Sequence, residues 1–295
     1  MTRFAFSTLG LPGLPLQTVL DLAETHGYQG VELRCELDEP VRLDLDRAER
    51  AVLARDFARA RVIPLAVASR VRITAPGEDA PVLAALRRHI WLAADIGAPF
   101  VRVLPGAGDG QGRSPGGRSS VALAGSASTV ADLDAADRRA ARRLAAVTSL
   151  AQTCGVRLLL ETEGSHRSAA AATRLAAGVD SPAVGVLWDM MNTHLAGDSP
   201  RTAADLLAPF LGYARVKDVD GSDLAPAPLG EGGLPVGEGV RHMVVGGQQG
   251  WLVWGCEPGR QGEQAAPFPL LLAQGRAWLE TAVREAVLAQ FARAG

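Results

Sequence analysis

Cysteine is scarce in this chain, and the three present, Cys35, Cys154 and Cys256, lie far apart. An odd, scattered set forms neither a zinc-type spacing nor a disulfide framework, and it suits a reducing compartment. Aromatic residues make up only 5%, which argues against a stacking platform for single-stranded nucleic acid. No long basic run is present and the formal net charge is −2, so the electrostatic footprint of a nucleic-acid binder is missing. No apolar stretch nears the roughly 20 residues needed to span a bilayer. The first residues lack the charged, apolar and small-residue order of a signal peptide. These absences lead us to expect a soluble, cytoplasmic protein with a small-molecule substrate and neither a nucleic-acid nor a membrane partner.

What is abundant is core-forming material: 47% of the 295 residues are hydrophobic. Short strand-like runs alternate with longer helical patterns throughout. The expected strands are Phe4 to Thr8, Gly30 to Arg34, Ile63 to Ser69, Phe100 to Gly106, Val156 to Thr162, Val184 to Asp189, Tyr213 to Val219 and Trp251 to Glu257. Between them, stretches such as "LQTVLDLAETHG" and "PVLAALRRHIWLAADIG" carry apolar residues three and four apart and close on glycine, as helices do. Eight such alternations predict one α/β domain over residues 1–295, a closed (β/α)8 TIM barrel. A Gly/Ser-rich segment at about 105–130 interrupts the rhythm after the fourth strand. It reads equally as an inert insertion or as a lid over the barrel mouth. A second Gly/Pro-rich stretch, "LAPAPLGEGGLPVGEG", is expected to be another mouth loop.

In a barrel of this kind the chemistry gathers where the strands end. Glu32 and Arg34 close the second strand, and Arg102 lies on the fourth. Glu161 ends the fifth and Asp189 the sixth, with Asn192 and His194 just beyond. Arg215, Lys217 and Asp218 lie on the seventh and Glu257 ends the eighth. Acids converging on one axis need counter-charge, from a divalent cation or from Arg and Lys. Of the five histidines, His26, His89 and His242 fall in helical stretches and read as packing or surface residues. His166 and His194 fall on mouth loops, where they could reach a ligand.

The opening "FAFSTLGLPGLPLQTVLDLAETHGYQGVELR" resembles the sugar phosphate isomerase/epimerase family, the xylose isomerase-like TIM barrels. "GAPFVRVLPG", "RLLLETEGSH", "VGVLWDMMNTHLAGDSP", "YARVKDV", "LGEGGLP" and "GWLVWGCEP" continue the resemblance in order over nearly the full length. The resemblance implies one divalent metal (manganese, magnesium, cobalt or zinc) held by Glu, Asp, His and Glu from the last four strands, with the two glutamates relaying protons. By position, Glu161, Asp189 and Glu257 match the acidic ligands, and Glu161 and Glu257 the acid/base pair. Where the family usually reads His-Val-Lys-Asp, this chain has Arg215 in the histidine's place. Glu163 and Asn192 also stand where relatives have histidine, and Pro258 where they continue with an acid.

Arg215 is the informative departure. A guanidinium stays protonated and offers no lone pair to a metal. Two readings are open: Arg215 serves as a built-in cation among the acids, or it turns aside and a metal persists on Glu161, Asp189, Glu257 and water. On either reading Glu32, Arg102, His166, Asn192, His194, Arg215 and Lys217 are candidates to orient substrate. Pairing with Asp218 is an equal expectation for Lys217.

Two classes of function follow. One is an isomerase/epimerase-type enzyme acting on a small polyhydroxylated or carbonyl compound, a lyase or dehydratase step using the same proton chemistry. The other is a catalytically silent ligand-binding barrel, which the retained acids weigh against. Outer helices of such barrels also support homo-oligomers, and no motif here decides that point.

Overall fold

The computed structural model describes residues 2–106, 130–220, 224–248, 250–255 and 268–291. Residues 107–129 of the Gly/Ser-rich segment, together with Cys256, Glu257 and Pro258, lie outside this set. Eight parallel strands close into a barrel in the order β1-β10-β7-β6-β5-β4-β3-β2. They are β1 (Arg3–Ser7), β2 (Gly30–Arg34), β3 (Ile63–Arg72), β4 (Phe100–Leu104), β5 (Arg157–Glu161), β6 (Val184–Asp189), β7 (Leu211–Val216) and β10 (Trp251–Trp254). Around them lie α1 (Leu16–Thr25), α2 (Arg47–Ala60), α3 (Asp79–Ile96), α4 (Val130–Thr153), α5 (Ala169–Val179), α6 (Met190–Leu195), α7 (Pro200–Leu207), α8 (Val236–Val245) and α9 (Phe268–Phe291). Among the described residues no helix is long and apolar enough to cross a membrane.

Local chemistry sets the helix ends. Asp46 and Glu49 form a reciprocal capping box at the start of α2, with bonds of 2.8 and 2.7 Å. α3 stops at Gly97, whose φ of +81° is the left-handed geometry that glycine accepts without strain. Ser168 and Ser199 cap α5 and α7.

The strands are buried on both faces, which gives the structure two cores. Outside the strands, Trp188, Trp254, Leu160 and their neighbours pack against the helices. Inside, Ala5, Leu65, Ala66, Leu159, Leu187, Tyr213, Trp251 and Val253 make an apolar plug. Because side chains alternate in and out, the residues two places further along face the same interior. Above the plug, five of the eight strands present charged side chains inward.

Six of the eight strands differ from the sequence expectation at their ends, two of them in ways that shape the site. β3 runs on to Arg72, with a shift of register against β4 after Ala68. The seventh strand ends at Val216, and Asp218–Asp220 (β8) instead pairs antiparallel with Ala225–Ala227 (β9). Asp218 explains the break. Its carboxylate accepts hydrogen bonds from the backbone N–H groups of Val219, Gly230, Gly232 and Leu234, at 2.9–3.2 Å. The carboxylate thereby organises the Gly/Pro-rich stretch, and Lys217 pairs with another of the acids, Asp189.

Candidate functional site

Five strand ends deliver the inward-facing charged layer. Arg215 on β7 lies at its centre, its side chain 1% exposed. Nε donates to Glu32 Oε2 at 3.2 Å and Nη2 donates to Glu32 Oε1, so one guanidinium edge grips the carboxylate at both oxygens. Nη1 donates to Glu161 Oε1 at 2.6 Å and stands 3.6 Å from Asp189 Oδ2. Burial works against the arginine's charge. The carboxylates of Glu161 and Glu32 more than offset it, holding the pKa well above the ordinary guanidinium value.

Two further cations complete the layer. Arg102 Nη1 lies 3.2 Å from Glu161 Oε2, and its Nη2 donates to the Ser69 carbonyl at 3.1 Å. The Ser69 hydroxyl donates back to the Arg102 carbonyl at 2.6 Å, so the register shift in β3 helps to aim Arg102. Lys217 Nζ lies 2.8 Å from Asp189 Oδ2. The other oxygen of Asp189 accepts from Asn192 N–H at 3.1 Å and caps α6, which fixes the carboxylate's orientation. The Asp189 N–H donates to the Thr162 hydroxyl at 2.8 Å.

Three acids and three cations therefore face one another. They are not equally accessible: Arg102 and Lys217 keep 8% of their side-chain surface and Glu161 keeps 4%, whereas Glu32 and Asp189 keep none. Arg102, Lys217 and Glu161 are the members of the layer that keep the most exposure. Both oxygens of Glu32 are engaged by Arg215, so its place is that of a counter-ion beneath the surface of the site.

The loop histidines do not join the layer in the way the sequence suggests. His166 is fully buried with both ring nitrogens engaged, Nε2 with Asp137 Oδ1 at 2.6 Å and Nδ1 with the Ser165 hydroxyl at 2.9 Å. Desolvation lowers its pKa despite the opposing pull of Asp137. The ring thus ties α4 to the loop after β5 through Asp137 and Ser165. His194 is exposed, in a groove with Trp188, Met190, Leu234 and Val236, and Trp188 faces away from the barrel interior. Asn192 meets Asp189 through its backbone. Glu257, expected as ligand and proton relay, lies outside the described residues.

Sequence reasoning missed Tyr213 and Gly255. Tyr213 lies two residues before Arg215 on the same inward row, fully buried, and its hydroxyl has no hydrogen-bond partner among the described residues. Gly255 follows Trp251 and Val253 on the inward row of β10. The period-two pattern could have found both. Nothing in the sequence pointed to Asp137, which a helix brings from another part of the chain.

The chain matches the model of the xylose isomerase-like TIM barrel over residues 20–282. It belongs to that family. None of the curated proteins matches its sequence significantly. Among solved structures it resembles an L-ribulose 3-epimerase at 17% identity, with 100% of this chain and 99% of the other covered and a TM-score of 0.77. It also resembles the IOLI protein with a bound zinc atom, at 16% identity, 96% and 99% coverage and a TM-score of 0.73. A third is the probable 3-DHS dehydratase AsbF from Bacillus anthracis, at 13% identity, 94% and 98% coverage and a TM-score of 0.71. These likenesses are of fold.

The described residues do not fit a metal such as the zinc of the IOLI protein. Arg215 Nη1 alone spans Glu161 and Asp189, the two acids that a shared cation would have to bridge. Among the described residues no group of three or more His, Cys, Asp or Glu side chains is placed to hold a metal ion.

Proposed function

We propose that this barrel is an enzyme that moves a proton beside a carbonyl or hydroxyl of a small polyhydroxylated substrate, as an isomerase or epimerase does, with Arg215 standing in for the family's metal. The observation that carries the reading is the seat of the Arg215 guanidinium among Glu32, Glu161 and Asp189 at the C-terminal end of the strands.

Proton abstraction next to a carbonyl develops negative charge on the carbonyl oxygen, and fixed cations in a water-poor site stabilise that charge without reorganising. Lys217 and Arg102, the cations with residual exposure, are placed to receive the oxygen, and Arg215 holds the acids beneath them in register. Glu161 is the acid/base group on this side of the substrate. Glu257, which lies outside the described residues, is the second acid/base group that the family resemblance implies.

A dehydratase-type step is the second reading. The same abstraction followed by loss of a β-hydroxyl needs the same cations, and the likeness to the AsbF dehydratase supports keeping it. A silent binding barrel has no need of an acid flanked by two guanidinium groups.

The test is solvent exchange. Ketoses, hydroxycarbonyl acids and cyclic polyols are incubated with the enzyme in deuterium oxide containing EDTA and followed by NMR. Deuterium should enter at a carbon beside the carbonyl, and Glu161→Gln should lose at least about 100-fold of that rate. Exchange that survives Glu161→Gln, or that stops on chelation and returns with manganese, overturns the reading.

A further inference from the structure

We propose that Arg215 and Gly255 are a matched pair, Gly255 being the positioning residue that lets the guanidinium occupy the place of a cation. The inference rests on the reading that Arg215 replaces a metal, and it adds why the arginine fits.

Gly255 directly follows β10, and its N–H donates to the Val216 carbonyl at 3.0 Å, so the backbone still tracks the barrel wall. A Cβ built on it would lie 2.9 Å from Arg215 Cδ, 3.2 Å from Cγ and 3.6 Å from Lys217 Cε. The first distance is closer than carbon atoms tolerate. A flexible side chain could ordinarily swing away, but this one is pinned at its far end by Glu32 and Glu161. A side chain at position 255 therefore has to displace the Arg215 shaft against the hold of Glu32 and Glu161 on its head. Conversely, the arginine shaft fills the volume into which a β10 side chain would project. At this level β5 and β6 contribute acids, β7 contributes the cation, and Gly255, just after β10, leaves room for its shaft.

Two consequences can be measured. The first is a double-mutant cycle on thermal unfolding. Gly255→Ala should lower the midpoint by several degrees in the wild-type background and by far less beside Arg215→Ala, where Cγ and Cδ are gone. A role confined to the glycine backbone would cost the same in both backgrounds, and that result overturns the matched pair. So does a Gly255→Ala substitution without cost in the wild-type protein.

The second is conversion of the site. Wild type, Arg215→His, Gly255→Glu and the double variant are incubated with manganese chloride, desalted and assayed for metal by mass spectrometry, with affinities from calorimetry. The double variant should retain about one equivalent and bind at least about tenfold more tightly than Arg215→His alone, a carboxylate from the vacated space adding a hard oxygen ligand. Affinity no better than that of Arg215→His overturns the role of Gly255. Metal retained by the wild type refutes instead the reading that Arg215 replaces a metal. If the double variant does not fold, the cycle with alanine still decides.

Discussion

Replacing Arg215 with methionine keeps most of the buried volume and removes the charge, and the structure indicates what each acid then faces. Glu161 retains Arg102, and Asp189 retains Lys217 and the backbone N–H of Asn192. Glu32 loses both contacts of its carboxylate, which is completely buried. The perturbation therefore amounts to one uncompensated interior carboxylate, a cost of about 3–5 kcal/mol at neutral pH. For a domain of this size that lowers the thermal midpoint by roughly 6–20 °C. Urea unfolding at neutral pH, followed by tryptophan fluorescence with EDTA present, should show this gap from wild type. Adding Glu32→Gln to Arg215→Met should recover a large part of the loss at neutral pH. A gap below about 1 kcal/mol at neutral pH, or no recovery on adding Glu32→Gln, would refute Arg215 as the counter-charge of Glu32.

Three further outcomes follow from buried polar groups. Tyr213→Phe removes a hydroxyl without a partner among the described residues, one whose burial and proximity to Glu32 push its pKa well above the usual phenol value. It should leave stability unchanged or raise it by up to about 1 kcal/mol in chemical denaturation, and a loss larger than that would show that the hydroxyl is bonded after all. His166 and His89 are both held neutral, desolvation lowering each pKa below its ordinary value. Their stabilising contribution is complete above about pH 6.5 and is lost as pH falls through the depressed folded-state values, with a slope of at most about 1.4 kcal/mol per pH unit for each. Combining His89→Gln with His166→Gln should flatten that slope in urea titrations, and an unchanged slope would remove these rings from the account. Arg143, completely buried, donates to the carbonyls of Ile73, Ala75, Gly77 and Glu78 and pairs with Asp79. Arg143→Met should cost about 2–4 kcal/mol and speed amide exchange across residues 73–79, and unchanged exchange there would count against it.

The alternation of short apolar runs with amphipathic helices determined the barrel by itself, because eight parallel strands buried on both faces have few other ways to satisfy their edges. Two of the eight expected strands, Gly30–Arg34 and Val184–Asp189, have the observed ends. The strand-end rule also named every charged member of the observed layer: Glu32, Arg102, Glu161, Asp189, Arg215 and Lys217. Their pairing was not legible, because which carboxylate a guanidinium reaches depends on stagger between strands and on side-chain direction. Only the tertiary structure gave Glu32 to Arg215 and Asp189 to Lys217, turned Asp218 toward four backbone amides, and set a helix carboxylate against His166. It also decided the meaning of Gly255. A glycine after a strand is unremarkable in sequence, and it becomes specific only when the space left by its missing side chain is seen to hold the shaft of Arg215.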